Sequence, residues 1–557
     1  MSDTLKQIGH DYWEWVLRTD PTYATYLGDR RYDDQLADIS QVALRSQRDE
    51  LEGLRGRLRA IGPLQGDDAV SADVLAMLVD HQIEERSHHF EQWNLDQLYG
   101  PQVWLQEIIN YQPLVSEDDY HKLGARYRAF GRYVDDWLHN LGRGQDEGRL
   151  APSVARDRVL AQACDVLDTP VLASPLLPKQ APALDAAAAE RGTRAVLDAV
   201  EQVVYPAYRR LKTFLEQYHG RAEVGLWALP GGEAAYQHRI RKHTTTDMTP
   251  QQIHDLGLRL LDGIHEEMRQ VAVRVVGKPD IQALTDRVSQ DAANFHDSRE
   301  ALLDEYRAIL TDINGRLGRW FNVLPGSACE VRAIEEFRER DAVAAYYYSP
   351  PDDFSRPGVF YANTYQPHTR PRWNMAALTA HEAVPGHHLQ IALAMEQKSL
   401  PHFRRHGDFT AYIEGWALYA ERLADEMGVY PDDLARFGML TYQAWRATRL
   451  VVDTGIHAMR WDRTHAIRFF IDSVGLPEHE IANEVDRYIV WPGQALAYAV
   501  GMHEIQRMRT RAEERLGDRF DLRAFHDVVL LGGALPLRTL DLAVGQWIDH
   551  AVRAPRR

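Results

Sequence analysis

A mainly α-helical protein with one small β-sheet is the fold class this sequence predicts. Three observations carry that expectation. Apolar residues recur at helical spacing over most of the chain, Pro and Gly punctuate those stretches, and only residues 329–363 hold a cluster of short β-branched and aromatic segments. At 557 residues the chain is too long for one ordinary core. The expected division is an N-terminal helical lobe at 1–280 and a catalytic helical lobe at 281–557, the two forming one continuous structural unit.

The first lobe opens with an amphipathic helix over 4–18 that stops before Asp20-Pro21. A short helix follows, with Pro21 at its start and Gly28 at its end. Long helical patterns cover 41–62 and 68–91, the stretch 93–112 is aromatic and less regular, and helices resume over 117–143, 153–166 and 183–219. Leu229-Pro230-Gly231-Gly232 marks a turn. Thr249 followed by Pro250 has the form of a helix N-cap with Pro at the first helical position, and the helix should run to Val276. After a helix over 298–321, the segments Cys329–Ala333, Ala345–Tyr348 and Gly358–Asn363 read as strands that lead straight into the next helix. From 372 onward the chain is helical again, with breaks near Pro401, Pro431, Pro477, Pro492 and Pro536.

Composition narrows the function classes. There are 64 basic and 81 acidic residues, a formal charge of −17, which argues against nucleic acid as the main partner because a phosphate-binding surface needs clustered Lys and Arg. No run of apolar residues is long enough to span a membrane, and the first thirty residues lack the apolar core of a secretory leader. Cys164 and Cys329 are the only cysteines, which fits two free thiols in a reducing cytoplasm and excludes a cysteine-based zinc site.

The chemistry concentrates in His381-Glu382-Ala383-Val384-Pro385-Gly386-His387-His388-Leu389-Gln390. The helix formers Met375–Ala380 should deliver His381 and Glu382 together, as zinc hydrolases present a ligand beside a general base. The usual H-E-x-x-H spacing is absent, because Pro385 stands four residues after His381. On a regular helix His387 would lie about 120° around the axis from His381, and His388 roughly 10.5 Å along it. Neither pair could share an ion that needs each nitrogen at about 2.0–2.1 Å. Pro385 removes a helical hydrogen bond and Gly386 opens backbone angles closed to other residues. The expectation is therefore a bulge that returns His387 to the side of His381. A helix that simply ends at Pro385 and carries surface histidines is the plainer alternative.

A catalytic zinc site needs three protein ligands and an open position. Glu414, among apolar neighbours about 27 residues past His387, is the best third ligand; Glu421, two turns on, is its rival or a carboxylate that orients a ligand His. An antiparallel helix pair would bring Glu414 across. Arg446, Arg449 and His457 share a helical stretch, and an Arg fork suits a terminal carboxylate, although an internal ion pair, for example with Asp453, is as reasonable for either Arg alone.

His381-Glu382-x-x-Pro385-Gly386-His387-His388-Leu389-Gln390 followed by Glu414-Gly415-Trp416-Ala417-Leu418-Tyr419 resembles the domain of unknown function 885 family of bacterial proteins. The resemblance extends through Asp20-Pro21-Thr22, the Leu229–Gly232 turn with Tyr236, His243-Thr244-Thr245-Thr246, Arg449–His457 and Pro492–Tyr498. That family is similar in fold to Taq-type thermostable zinc metallocarboxypeptidases and, more distantly, to thimet-oligopeptidase-like enzymes. The resemblance implies a two-lobed helical scaffold with a deep groove, and zinc on two His and a downstream Glu. It favours His387 over His388 as the second ligand, with two extra residues before Gly386-His387.

The combined expectation is a zinc-dependent peptide hydrolase, carboxypeptidase-like, with one Zn²⁺ per chain on His381, His387 and Glu414. Glu382 would be the general base, with Tyr498 or His388 assisting the oxyanion. Arg446, Arg449, His457 and Tyr361, the last within the strand before the metal helix, would contact a peptide substrate whose main chain pairs with that strand. Another metal-dependent amidohydrolase, or a peptide-binding protein with a degenerate site, remains the rival expectation.

Overall fold

The computed structural model describes residues 2–178, 184–336, 339–340 and 342–553. The fold is mainly helical, and a single three-stranded sheet interrupts the helices among the described residues. No helix among them is long and apolar enough to cross a membrane. The chain divides into two compact units, Met1–His238 with Asp486–Trp491, and Arg239–Val485 with Pro492–Arg557.

In the first unit the long helix Glu117–Asp146 is the organiser. Ser116 and Asp119 close a capping box at its start. Leu123, Tyr127, Phe130, Val134, Trp137 and Leu141 recur every three or four residues and are buried, so one apolar stripe faces the core. Arg126 is buried on the same helix and donates to the carbonyls of Pro21, Tyr32 and Gln35 and to the side chains of Thr25 and Gln112. One guanidinium thus holds the N-terminal segment that begins at the Asp20-capped helix Pro21–Tyr26.

The division falls near residue 238 rather than 280. The helix Pro250–Val276, capped by Thr249 and Gln252 as its sequence indicates, packs along Asp433–Ala458 and so belongs to the second unit. Its buried face, Ile253, Leu256, Leu261, Ile264, Met268 and Val271, is covered in part by Leu284 and Val288 of the next helix, but its main partner surface is the helix Asp433–Ala458 far along the chain, a pairing that local periodicity does not encode.

The sheet has the order β1–β3–β2, with β1 at Cys329–Ala333, β2 at Ala345–Tyr348 and β3 at Gly358–Ala362. β3 runs parallel to β1 and antiparallel to β2. The strand just before the His381 helix is therefore central, with both sides already paired. The expectation that a peptide lies along it does not hold, and the open edge nearer the His381 helix belongs to β2, which packs against Met375–Glu382.

Candidate metal centre

Two helices meet at the break that the Pro-Gly pair dictates. The first, Met375–Glu382, ends at Ala383; the second, His387–Glu396, begins directly after Gly386. Between them the chain doubles back so closely that a Cβ on Gly386 would fall on the carbonyl oxygens of His381 and Ala380. Only glycine tolerates that approach. The Trp416 indole donates to the Pro385 carbonyl (2.8 Å) and fixes the turn from below. The result sets the His381 and His387 rings 4.8 Å apart, centroid to centroid, and nearly perpendicular.

Glu414 comes from the helix Thr410–Glu426, which packs against the His381 helix. Its Oε2 lies 3.6 Å from His381 Nε2 and 3.5 Å from His387 Nε2. These separations are too long for good hydrogen bonds, and Glu414 Oε2 is buried without one. One nitrogen from each His and one Glu414 oxygen lie within 4.8 Å of one another, a spacing that accommodates a cation between them. Each residue of Glu414-Gly415-Trp416 has its own task here. Glu414 faces the histidines, Gly415 lets the helix Ala497–Leu516 cross with Gly501 against its backbone, and Trp416 holds the Pro385 turn.

Behind His381 stands Glu421, 0% exposed, whose Oε1 accepts from Nδ1 at 2.8 Å. Gln443 donates to the other oxygen at 2.9 Å. The Nδ1 bond fixes the orientation of the ring and turns Nε2 toward Glu414. Burial pulls the His381 pKa down, but Glu414 and Glu421 outweigh it and raise it to about 9. Burial likewise works against the Glu414 carboxylate, yet His387 and His381 hold its pKa well below the usual range. Two imidazoles and a carboxylate around a buried oxygen that lacks a partner form a donor set that fits zinc.

Glu382 follows His381 in the last turn of its helix and is half-buried. It forms no hydrogen bond or ion pair with any described residue, while lying close enough to Tyr306 and Tyr442 to act on both electrostatically. Arg446 is 9% exposed, stacks its guanidinium on Tyr442 (4.7 Å), and has no carboxylate partner among the described residues. Its Nε is buried without a hydrogen bond. Arg446 is three residues beyond Gln443, so it stands about 4.5 Å along the same helix from the group that supports Glu421.

The other candidate residues are placed differently. His388 points away from Glu414: its Nε2 donates to the Ser327 carbonyl (2.9 Å) and its Nδ1 accepts from the Tyr347 hydroxyl (2.9 Å), so both nitrogens are committed to tying the helix to the sheet. Arg449 is paired with Glu484 (3.1 Å) and covers the Tyr498 ring at 4.5 Å. Asp453, considered above as a partner for an Arg, accepts from the Gly493 amide. His457 is buried in the last turn of its helix. Tyr361 stacks on Tyr346, its neighbour across the strands, at 5.0 Å. Strand alternation puts this pair on the face opposite Tyr347 and Phe360, and Tyr347 is the residue that meets His388. Gln443 and Tyr442 went unread in the sequence; their signal is the spacing from Arg446, which puts three polar or aromatic groups on successive parts of one buried turn.

The family described as "Bacterial protein of unknown function (DUF885)" matches residues 21–544. The chain belongs to that family. No curated protein matches it. Among solved structures, a "putative lipoprotein" from Colwellia psychrerythraea is similar at 28% identity and TM-score 0.92, with 98% of this chain and 99% of that one covered. A "putative lipoprotein of unknown function" from Shewanella oneidensis shares the fold at 18% identity and TM-score 0.75, over 97% and 99% of the two chains. The DUF885 match includes both halves of the centre, from the Pro385-Gly386 turn to Glu414-Gly415-Trp416.

Proposed function

We propose that this DUF885 protein is a zinc-dependent peptide hydrolase that removes residues from the C-terminus of its substrates. The observation that carries the reading is the convergence of His381, His387 and Glu414, with Glu421 buried behind His381. His381, His387 and Glu414 would hold a zinc ion, which when bound would supply the Lewis acidity that polarises a carbonyl and acidifies water. The remaining work falls to the chain. Glu382, unpaired and next to a ligand, takes a proton from the attacking water and delivers it to the leaving amine. Arg446, a buried cation without an anionic partner among the described residues, binds the substrate's terminal carboxylate through a fork of N–H donors. The open edge of β2 aligns the substrate's main chain. Tyr498 is the hydroxyl assigned to the developing oxyanion, since both His388 nitrogens are already in use. Arg449 is left out of carboxylate binding because Glu484 already answers its charge. The two unpaired thiols, Cys164 and Cys329, favour action in a reducing compartment, which cell fractionation would test.

The test is hydrolysis of matched short peptides, one with a free C-terminus and one amidated, with and without a chelator. Chelator-sensitive release of the last residue from the free acid supports the reading. Equal rates on both peptides would leave hydrolysis standing and remove the C-terminal assignment. Cleavage of neither peptide, with tight binding of both, would make this a peptide-binding protein.

A further inference from the structure

A second group of histidines and glutamates lies in the first unit, where nothing in the proposed chemistry uses it. Glu84 sits near the end of the helix Gly66–Ser87, and His88 caps that helix four residues later. His238, from the helix Gly232–Thr244, reaches in between and is 0% exposed. The His88 and His238 rings are 5.0 Å apart, close to the 4.8 Å separation of His381 and His387.

The hydrogen bonds repeat the arrangement of the main centre. His238 Nε2 donates to Glu85 Oε2 at 2.7 Å. That bond places a proton on Nε2, so in the neutral ring Nδ1 is the lone pair. Nδ1 is buried without a hydrogen bond, although Glu84 Oε2 is only 3.2 Å away. His88 Nε2 is also buried without one, 3.8 Å from the other Glu84 oxygen. Two imidazole nitrogens and a carboxylate thus converge with their ligand atoms within 4.8 Å of one another. A neutral His238 would press its lone pair against an anionic oxygen, an arrangement that is costly in a buried site unless a proton or a metal ion lies between them.

We propose that Glu84, His88 and His238 bind a second divalent transition-metal ion, zinc by preference of the donor set, with Glu85 orienting His238 from behind. Of the three side chains Glu84 is the most exposed, at 37% against 14% for His88, so solvent would reach the ion from its side. Bound there, the ion clamps the end of one helix of the first unit to another helix about 150 residues later in the chain. The third group of this kind, Asp352 with His402 and His406, carries no such proposal because the Arg405 guanidinium already holds the Asp352 carboxylate.

The experiment is metal analysis of the full chain after loading with Zn²⁺ and removal of excess, alongside thermal unfolding. The inference requires that a His381→Ala chain still hold about one zinc. Adding His88→Ala or Glu84→Gln to that chain should abolish it. In the otherwise unaltered chain, His88→Ala should remove one equivalent and shrink the rise in Tm that zinc produces. His238 is left in place because its full burial makes a variant there prone to misfold. If His381→Ala destabilises the chain, cobalt(II) in place of zinc gives a second reading, since the difference in d–d absorption between the unaltered chain and His88→Ala isolates this site. The inference is overturned if no zinc survives His381→Ala in folded protein, or if His88→Ala and Glu84→Gln leave both metal content and cobalt spectrum unchanged. A chain whose zinc is lost with His88→Ala alone and unaffected by His381→Ala would uphold this site while sinking the proposed hydrolase.

Discussion

Glu421→Gln separates a carboxylate that tunes a metal ligand from one that merely fills a polar hole. In the native centre Glu421 accepts twice, from His381 Nδ1 at 2.8 Å and from Gln443 Nε2 at 2.9 Å. An amide at 421 has one oxygen and can accept from His381 only if its NH₂ then faces Gln443. Gln443 can answer by turning its own amide over, giving up only the 3.3 Å bond to the Leu418 carbonyl. Geometry therefore survives the exchange and the loss is the negative charge. Removing a partner of this kind lowers metal affinity by about 10–100-fold, or roughly 1.4–2.7 kcal/mol. Because the hydrogen bond remains, the expected loss is near the lower end, about tenfold. Glu421→Ala leaves both donors buried without an acceptor and should approach the upper end, with a stability cost of about 1–3 kcal/mol besides. Competition with a chromophoric chelator measures the zinc affinity, and denaturant unfolding of the metal-free chain measures the stability. Identical zinc affinity in the unaltered chain and both variants would refute the claim that Glu421 supports a ligand.

Three further outcomes follow from other parts of the structure. Gly386→Ala drives a methyl group into the His381 and Ala380 carbonyls, which cannot swing aside; it should cost about 1–3 kcal/mol in unfolding free energy and lower zinc affinity at least about tenfold, and no change in either would show that the turn opens freely. Arg446→Gln should lower kcat/KM for free-acid peptides by about 10–100-fold, mainly through KM, and leave amidated peptides unaffected; equal losses on both would take Arg446 out of carboxylate recognition. Asp352 has its pKa held down to about 2, first by a hydrogen bond from His406 and then, against the effect of burial, by Arg405. A depressed carboxylate contributes stability above its unfolded pKa and loses it as pH falls through the folded one. Asp352→Asn should thus cost about 1 kcal/mol at neutral pH, discounted for an exposed edge, and the gap to the unaltered chain should close between about pH 4 and pH 2 in thermal unfolding.

Much of the local structure is legible in the sequence because it rests on short-range rules. Thr249-Pro250 caps a helix that runs to Val276, and the three strand segments fall within a residue of their expected limits. The Pro385-Gly386 break is legible for the same reason, since helix geometry alone forbids a shared ion without it. What the sequence hides depends on pairings across long separations. The parallel pairing of β1 with β3 puts the expected substrate strand in the middle of the sheet. The packing of Pro250–Val276 on Asp433–Ala458 moves the unit boundary. Single charged residues are the hardest to read, because a helix face does not reveal its partner. Arg446 and Arg449 are three residues apart, yet one stacks on Tyr442 without an anion and the other meets Glu484. His238 reads as an ordinary helical residue until Glu84 and His88 are brought to it across about 150 positions.

The most direct test of the hydrolase reading compares the zinc-loaded chain with Glu382→Gln on a mixture of short peptides, followed by mass spectrometry. An amide at 382 cannot accept the water's proton, while His381, His387 and Glu414 are untouched. The account predicts that both proteins carry the same zinc, that the unaltered chain shortens peptides from their C-termini, and that the variant is slower by about 10²–10⁴. Intact peptides after incubation with the zinc-loaded chain, or equal cleavage by the two proteins, would contradict it.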